Sequence, residues 1–482
     1  MRRARTLLLL GAIGAALGAC ERPAKDGPVD VSVIGAAPVL RDANRAPLQP
    51  NDRVLLSAVA QGLVRFDGNG QIDPGVARRW AVSDDGLYYT FRIDAGGSID
   101  AEAIAASLRR AIGRASRNAL KPVLGAIDEI VAVTPEVVEI RLHSPRPNLL
   151  QLLAQPELAL RVGAGGAGGA GPFRIAARDG RSILLAPVAA EPVPPGTPTP
   201  GEVRLWPERA ALAIARFHAG RSSAVLGGGF DDLPIVRQSG IDARMLRFDP
   251  ALGLFGLIFT DTSGFAGSSE NRRALAMAID RDRLTSAFDA ADWQTSATLL
   301  PPGVADLPTP ARPDWIDTPL DQRQALAREA VARWTEEQGA APTIRIAMPA
   351  GPGGNLLFAA IRRDWRAIGV RAERVAPDAA ADVQLIDAVA PADIASWYLR
   401  RFTCDFSRVC SEEADALLIA ARDAPSLAER ARFLAAADAR LAAITAFVPL
   451  AMPMRWSLAD PRRSALQPNA RGIHPLDHLR AP

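Results

Sequence analysis

The sequence predicts an α/β protein built from more than one domain, and three observations carry that expectation. The chain has 482 residues of which 48% are hydrophobic, enough to bury more than one core. Its second half alternates helical and strand patterns: NRRALAMAIDRDRL, then TIRIAMP, then NLLFAAIRRDWRAIG, then ADVQLID. Such alternation argues for sheets with helices packed on their faces. The first half carries strand pairs of its own around an Ala-rich helix.

In chain order, Val29 to Ile34 (VDVSVI) alternates apolar and polar side chains, the period of a strand. DRVLLSAVAQGLV, Asp52 to Val64, reads as a helix. WAVSDDGLYYTFRI, Trp80 to Ile93, reads as a hairpin, because Asp84-Asp85-Gly86 joins two β-rich runs. Trp80, Tyr89 and Phe91 can then form a buried aromatic face. Asp100 is placed to cap AEAIAASLRRAIGRA, with Glu102 in its first turn. Strands are expected at Ile127 to Val133 and Val137 to Leu142. The Gly-rich GAGGAGGAGPF, from Gly163, and the Pro-rich EPVPPGTPTP mark loops. NRRALAMAIDRDRL reads as one helix whose Leu275, Ala278 and Ile279 face the core.

The first twenty residues, MRRARTLLLLGAIGAALGAC, place Arg2, Arg3 and Arg5 before an apolar stretch too short to span a bilayer, the order of a secretory signal. Leu17-Gly18-Ala19-Cys20 resembles the lipobox of bacterial lipoproteins, which implies acylation of the Cys20 thiol and a membrane tether over residues 20–28. Glu21 after the anchor leans towards outer-membrane sorting by the same resemblance. The leader's arginines account for the net charge of +3, so the rest of the chain is near neutral and offers no basic surface for nucleic acid. Cys404 and Cys410 read as a local disulfide in an oxidising compartment, with free buried thiols as the alternative.

No constellation assembles catalytic machinery. Gly163 to Gly168 fits G-x-G-x-x-G, but Pro172 and the β-like FRIAAR follow where a phosphate-binding helix should start, so a loop is expected. Asp261-Thr262-Ser263-Gly264 departs from the aspartic-protease order and has no second copy to share a proton. His474 and His478 lie four apart, yet Pro475 interrupts them, and RGIHPLDHLR reads as a surface tail without a metal. There is no G-x-S-x-G elbow and no Walker loop. Export without catalytic residues or a cofactor points to a binding protein, not an enzyme.

The run AQGLVRFDGNGQIDPGVARRWAVSDDGLYYTFRI, beginning at Ala60, resembles the signature of family 5 extracellular solute-binding proteins, the peptide, dipeptide and nickel receptors of ABC importers. IDAEAIAASLRRAI, VVEIRLHSPRPNLLQLLA, Gly171-Pro172-Phe173, Asn271 to Leu284, DWRAIGV and EADALLIAAR match further family motifs in order. The resemblance implies a class II periplasmic binding protein-like fold, two lobes with a hinge plus an extra domain. By that plan residues 29–51, 161–247 and 455–482 form lobe I, 52–160 the extra domain and 248–454 lobe II. It also implies a monomer that closes its lobes on a small-molecule or peptide ligand and presents the closed form to an ABC permease.

Departures from the family pattern bear on the ligand. Gln61 stands where an acidic residue is usual, and Thr260 and Asp261 where an Asn is usual. Peptide-binding members carry Gly-Trp-x-x-Asp-Tyr, whose Asp receives the peptide's amino group; here the region reads LIDAVAPADIASWYLRRF. Asp393, shifted by about two residues, and Asp387 compete for that role, because an ammonium leaving water needs a buried carboxylate. Trp397 and Tyr398 offer either an apolar wall or helix packing. The alternative to import is an envelope interaction or signalling protein that keeps the fold.

Overall fold

A computed structural model describes residues 27–94, 99–162, 168–188, 201–290, 292–460 and 466–479. The leader, Cys20, residues 163–167 of the Gly-rich run and the Pro-rich segment 191–200 lie outside the described residues.

Three sheets organise the chain. The first has seven strands, in the spatial order 173–178, 183–187, 203–208, 29–34, 224–229, 455–459, 246–249. Val29–Ile34 sits in it parallel to Val203–Glu208 and Ala224–Gly229, with Val31 opposite Leu205 on one side and Ala224 on the other. Its alternation has the expected consequence: Val31 and Val33 are buried among Leu205, Leu226 and Ala459. The helix Pro50–Val59 buries Leu55, Ala58 and Val59 in this same core. The boundary drawn at Asp52 therefore divides a helix that packs with the first lobe.

The second sheet has five strands, in the order 371–375, 343–347, 383–389, 253–259, 447–451. Gly253–Phe259 is almost wholly buried, as a central strand covered on both faces should be. The two sheets are joined where Leu246–Asp249 runs on into Gly253–Phe259 and where Phe447–Ala451 runs on into Arg455–Ala459. Beside these crossings Phe230 from the first sheet's side stacks edge-on with Phe255 of the second, centroids 5.0 Å apart.

The third sheet is antiparallel, in the order 77–82, 88–93, 137–142, 127–134. Ser83 to Leu87 makes its first hairpin, with Gly86 at φ 69° where a turn needs a left-handed residue. Ala101–Ile112 packs on this sheet through Ile104, Ala105 and Leu108, and Asp100 caps it by accepting a 2.8 Å hydrogen bond from the Ala103 amide. This is the extra domain. Its core also takes in Ala392 and Ile394, which follow the second sheet's strand Val383–Val389.

Three local expectations differ from what is observed, the first being the helix expected over Asp52 to Val64, which spans Pro50–Val59 and gives way to the strand Val64–Phe66. NRRALAMAIDRDRL forms two helices, Ser269–Ala278 and Arg281–Ser286. Asp280 breaks them apart: its carboxylate accepts from the Arg283 amide as an N-cap, and its own amide donates to Asp364 Oδ2 at 3.0 Å. RGIHPLDHLR is no surface tail: Leu476 and Leu479 enter the first sheet's core, and His474 Nε2 meets Asp249 Oδ2 at 3.0 Å with both side chains buried. Cys404 and Cys410 are disulfide-bonded, Cα atoms 5.0 Å apart. Among the described residues no helix is long and apolar enough to cross a membrane.

Candidate functional site between the lobes

The site residues named from sequence fall into three places. Asp387 lies on Val383–Val389 of the second lobe, and Arg455, which opens the returning strand of the first, reaches across to it. One Arg455 nitrogen, Nη1, donates to both carboxylate oxygens, at 2.8 and 3.0 Å. Burial raises the Asp387 pKa above the ordinary value while Arg455 pulls it down.

Asp393 lies beyond the same strand, against the extra domain. Its Oδ1 accepts from Arg471 Nη2 at 2.5 Å, and its amide donates to Gln151 Oε1 at 3.0 Å. Asn148 Nδ2 donates to its carbonyl. Arg471 is itself only 8% exposed and also donates to the Ala390 carbonyl. The two carboxylates proposed for a ligand ammonium are thus both engaged by arginines of the chain's last segment.

Trp397 and Tyr398 form a T-shaped pair 4.9 Å apart. Tyr398 is 1% exposed, and burial holds its phenol far above the usual range. Trp397 packs against both the lobe II core and the extra-domain core, with Arg401 over its ring at 4.7 Å. Gln61 is separate from them. It pairs with Leu160 and lines a recess of about 30 Å³ with Arg65, Gln155 and Ile473.

The residues that sequence reasoning missed are the ones that tie the bodies together. The segment around Arg471 touches the crossing through Asn469 and Asp249, the second lobe through Asp393, and the extra domain through Arg65, whose Nη1 donates to Asp477 at 2.9 Å. The available signal was Leu466, Ile473, Leu476 and Leu479, too many apolar residues for a solvated tail. A second junction links the lobes directly. Asp231, after the strand Ala224–Gly229, accepts from the Gly354 amide at 2.7 Å and so caps the lobe II helix Pro352–Ala367. The approach demands glycine, since a Cβ on Gly353 would lie 2.1 Å from the Phe230 carbonyl oxygen. Next to it, burial and the neighbouring Asp231 push the Asp232 carboxyl up to about 6.

Three cavities offer room for a ligand. A basin of about 590 Å³ around Thr260, Arg345 and Arg408 is built by the second lobe alone. A cavity of about 180 Å³ lies instead between the extra domain and the second lobe, beside Asn148 and Ile394. Its walls are mainly apolar, and its charged side chains are Arg146, Arg400, Arg422, Arg430 and Asp306. A site shared between bodies can couple occupancy to their closure, a condition met by the second and by a cavity of about 310 Å³ lined by Asp42 and Asn44 with Ser107 and Arg110 of the extra domain.

Two lobes joined by paired crossings, with an extra domain packed beside the second, form a class II periplasmic binding protein-like fold. Residues 71–400 match the family described as bacterial extracellular solute-binding proteins, family 5 Middle. The chain belongs to that family, whose members are non-catalytic, periplasmic or extracellular components of peptide- and nickel-type ABC importers.

Among curated relatives, the chain is 30% identical over 113 residues to the nickel-binding periplasmic protein of Escherichia coli, covering 22% of each. It is 30% identical over 166 residues to a glutathione-binding protein of Shigella dysenteriae, covering 32% of this chain and 30% of that one. These matches thus span under a third of either relative. Among solved structures, the murein tripeptide binding protein MppA of Escherichia coli superposes with a TM-score of 0.80 at 17% identity, over 95% of this chain and 99% of that one. Haemophilus influenzae OppA in complex with the peptide RPPGFSPFR gives 0.78 at 15% identity, over 94% and 99%. The unliganded open form of MppA gives 0.67 at 18% identity, over 94% and 97%.

Proposed function

We propose that this protein is a lipid-anchored receptor, held at the membrane through Cys20, that delivers a small polar solute such as an oligopeptide to an ABC permease by closing its lobes. The observation that carries it is the meeting of all three bodies around one network, in which Arg471, Asp393, Gln151 and Asn148 come from the final segment, the second lobe and the extra domain. A network assembled from separate bodies is what a ligand-driven population shift acts on. The better agreement with the peptide-bound OppA than with the open MppA supports reading this arrangement as the closed one.

Native mass spectrometry of protein purified from its host tests the reading. A small molecule that leaves on denaturation is expected, and a cleft that is empty in every preparation counts against import. Mass analysis of the mature N-terminus tests the anchor, which predicts acyl chains on Cys20.

One observation favours a second reading, an envelope interaction or signalling protein that keeps the fold. Asp387 and Asp393 are each neutralised from within by Arg455 and Arg471, so closure at these points needs no ligand ammonium. Genes for a permease and an ATPase beside this one would favour import over this alternative.

A further inference from the structure

The run over residues 466–479 reaches every body of the molecule. Leu476 and Leu479 are buried in the first lobe's core, and Ile473 packs on the core of the extra domain. Within it, the turn from Asn469 to His474 lies along the crossing between the lobes. Asp249 is the last residue of the first lobe's strand Leu246–Asp249. Its Oδ1 accepts from the Asn469 amide at 3.0 Å, and its Oδ2 meets His474 Nε2 at 3.0 Å. Further along the crossing, the Leu252 amide donates to the Ala470 carbonyl at 3.3 Å, and the Leu252 carbonyl accepts from the amide of Ala390 of the second lobe at 2.8 Å.

That turn holds its own shape. Gly472 turns the chain at φ 60°, and the Asn469 side-chain oxygen accepts from the amides of Arg471 and Ile473 at 3.1 and 3.3 Å. Arg471 is thereby aimed at the second lobe's side of the crossing. There it donates to the Ala390 carbonyl at 3.1 Å and to Asp393 Oδ1 at 2.5 Å, and it reaches Gln151 of the extra domain at 3.3 Å. The side chains of Asp249, His474 and Arg471 are all buried, so salt and water screen these bonds little. A hinge opens by changing backbone angles at a few residues, in this crossing residues 250–252. Both flanks of that stretch are bonded to one turn. Any rotation that carries Ala390 and Asp393 away from Asp249 must therefore break the Arg471 bonds or lift Asn469 off Asp249.

We infer that Asn469 to His474 is an internal clasp on the hinge, which keeps the lobes in their present arrangement with no solute bound. A solute then acts on a molecule already biased towards this arrangement, and its apparent affinity depends on how readily the clasp releases to admit it. The inference rests on the two-lobed receptor reading. It adds where the bias between arrangements resides, in the contacts of one short turn with both sides of the crossing.

Small-angle scattering of the full mature chain tests the clasp, on protein freed of small molecules by denaturation and refolding and checked as empty by native mass spectrometry. The empty parent is expected to show the radius of gyration calculated from this structure, whereas Arg471→Met and Asn469→Ala should each show a larger one. Arg65→Met breaks a contact of the same segment, with Asp477, away from the crossing, and should leave the radius unchanged. An empty parent with a larger radius overturns the inference. So do clasp variants with the parent's radius, or an equal expansion in Arg65→Met. Where a variant fails to fold, hydrogen exchange of the empty parent decides: the Asn469 and Leu252 amides should exchange far more slowly than those of exposed loops, and exchange at the loop rate overturns the clasp. The two readings fail separately. An empty parent that stands open and closes on a solute co-purified from the host keeps the receptor and overturns the clasp. An empty parent that stands closed, from a host preparation that never yields a solute, keeps the clasp and counts against the receptor.

Discussion

At Asp393 the charge balance is internal, and that fact shapes what substitution should do. Arg471 is buried and donates to two partners besides the carboxylate, the Ala390 carbonyl and Gln151. Arg471→Met fills similar space but takes the cation from Asp393 and the donor from the Ala390 carbonyl. A loss of about 2–4 kcal/mol is expected, somewhat less than the roughly 3–5 kcal/mol for a fully buried pair because the Asp393 side chain is 32% exposed, and denaturant unfolding measures it. Asp438 is the converse case. Its Oδ2 accepts from the Ala311 amide at 2.6 Å, Oδ1 has no hydrogen-bond partner among the described residues, and burial lifts the carboxyl to about 6. Because the folded pKa is raised, the folded state binds more protons than the unfolded one between about pH 4 and 6, so stability falls as pH rises through that window. Asp438→Asn keeps the acceptor without the charge. It should raise stability by on the order of 1 kcal/mol at pH 7 and by much less at pH 4, as thermal melts at the two values would show. Equal gains at both would mean that the charge is not the cause.

Helix ends were partly legible in the sequence. Asp100 announces Ala101–Ile112 because capping is local chemistry, a side chain and an amide three residues on. Asp280 uses the same chemistry, yet the periodicity around it suggested a continuous helix. The difference lies in Asp364, a distant carboxylate that takes the Asp280 amide and holds the break open. Asp280→Ala should therefore cost about 1 kcal/mol through the lost cap, read by chemical denaturation. No change in stability would show that Asp364 alone defines the break. The hairpin at Ser83 to Leu87 was legible for the same local reason. The C-terminal segment was not, since its place beside Asp249 and Asp393 depends on residues more than 70 positions away in sequence.

At the scale of the whole molecule, the lobes meet where Asp231 caps the helix Pro352–Ala367. That contact has no room for a side chain at residue 353, because the carbonyl facing it is backbone and cannot rotate aside. Gly353→Ala should hold the lobes apart, giving a larger radius of gyration in small-angle scattering and weaker solute binding. An unchanged radius would show that the junction does not govern closure. The sequence by itself determined the α/β class, the family, the hairpin and the capped helices, since periodicity, turn residues and motif order are properties of neighbouring positions. Only the tertiary structure decided that Arg455 and Arg471 answer the two aspartates. Charge pairing is settled by distance in space, and these partners are brought together by the crossings and the extra domain, which no local pattern records.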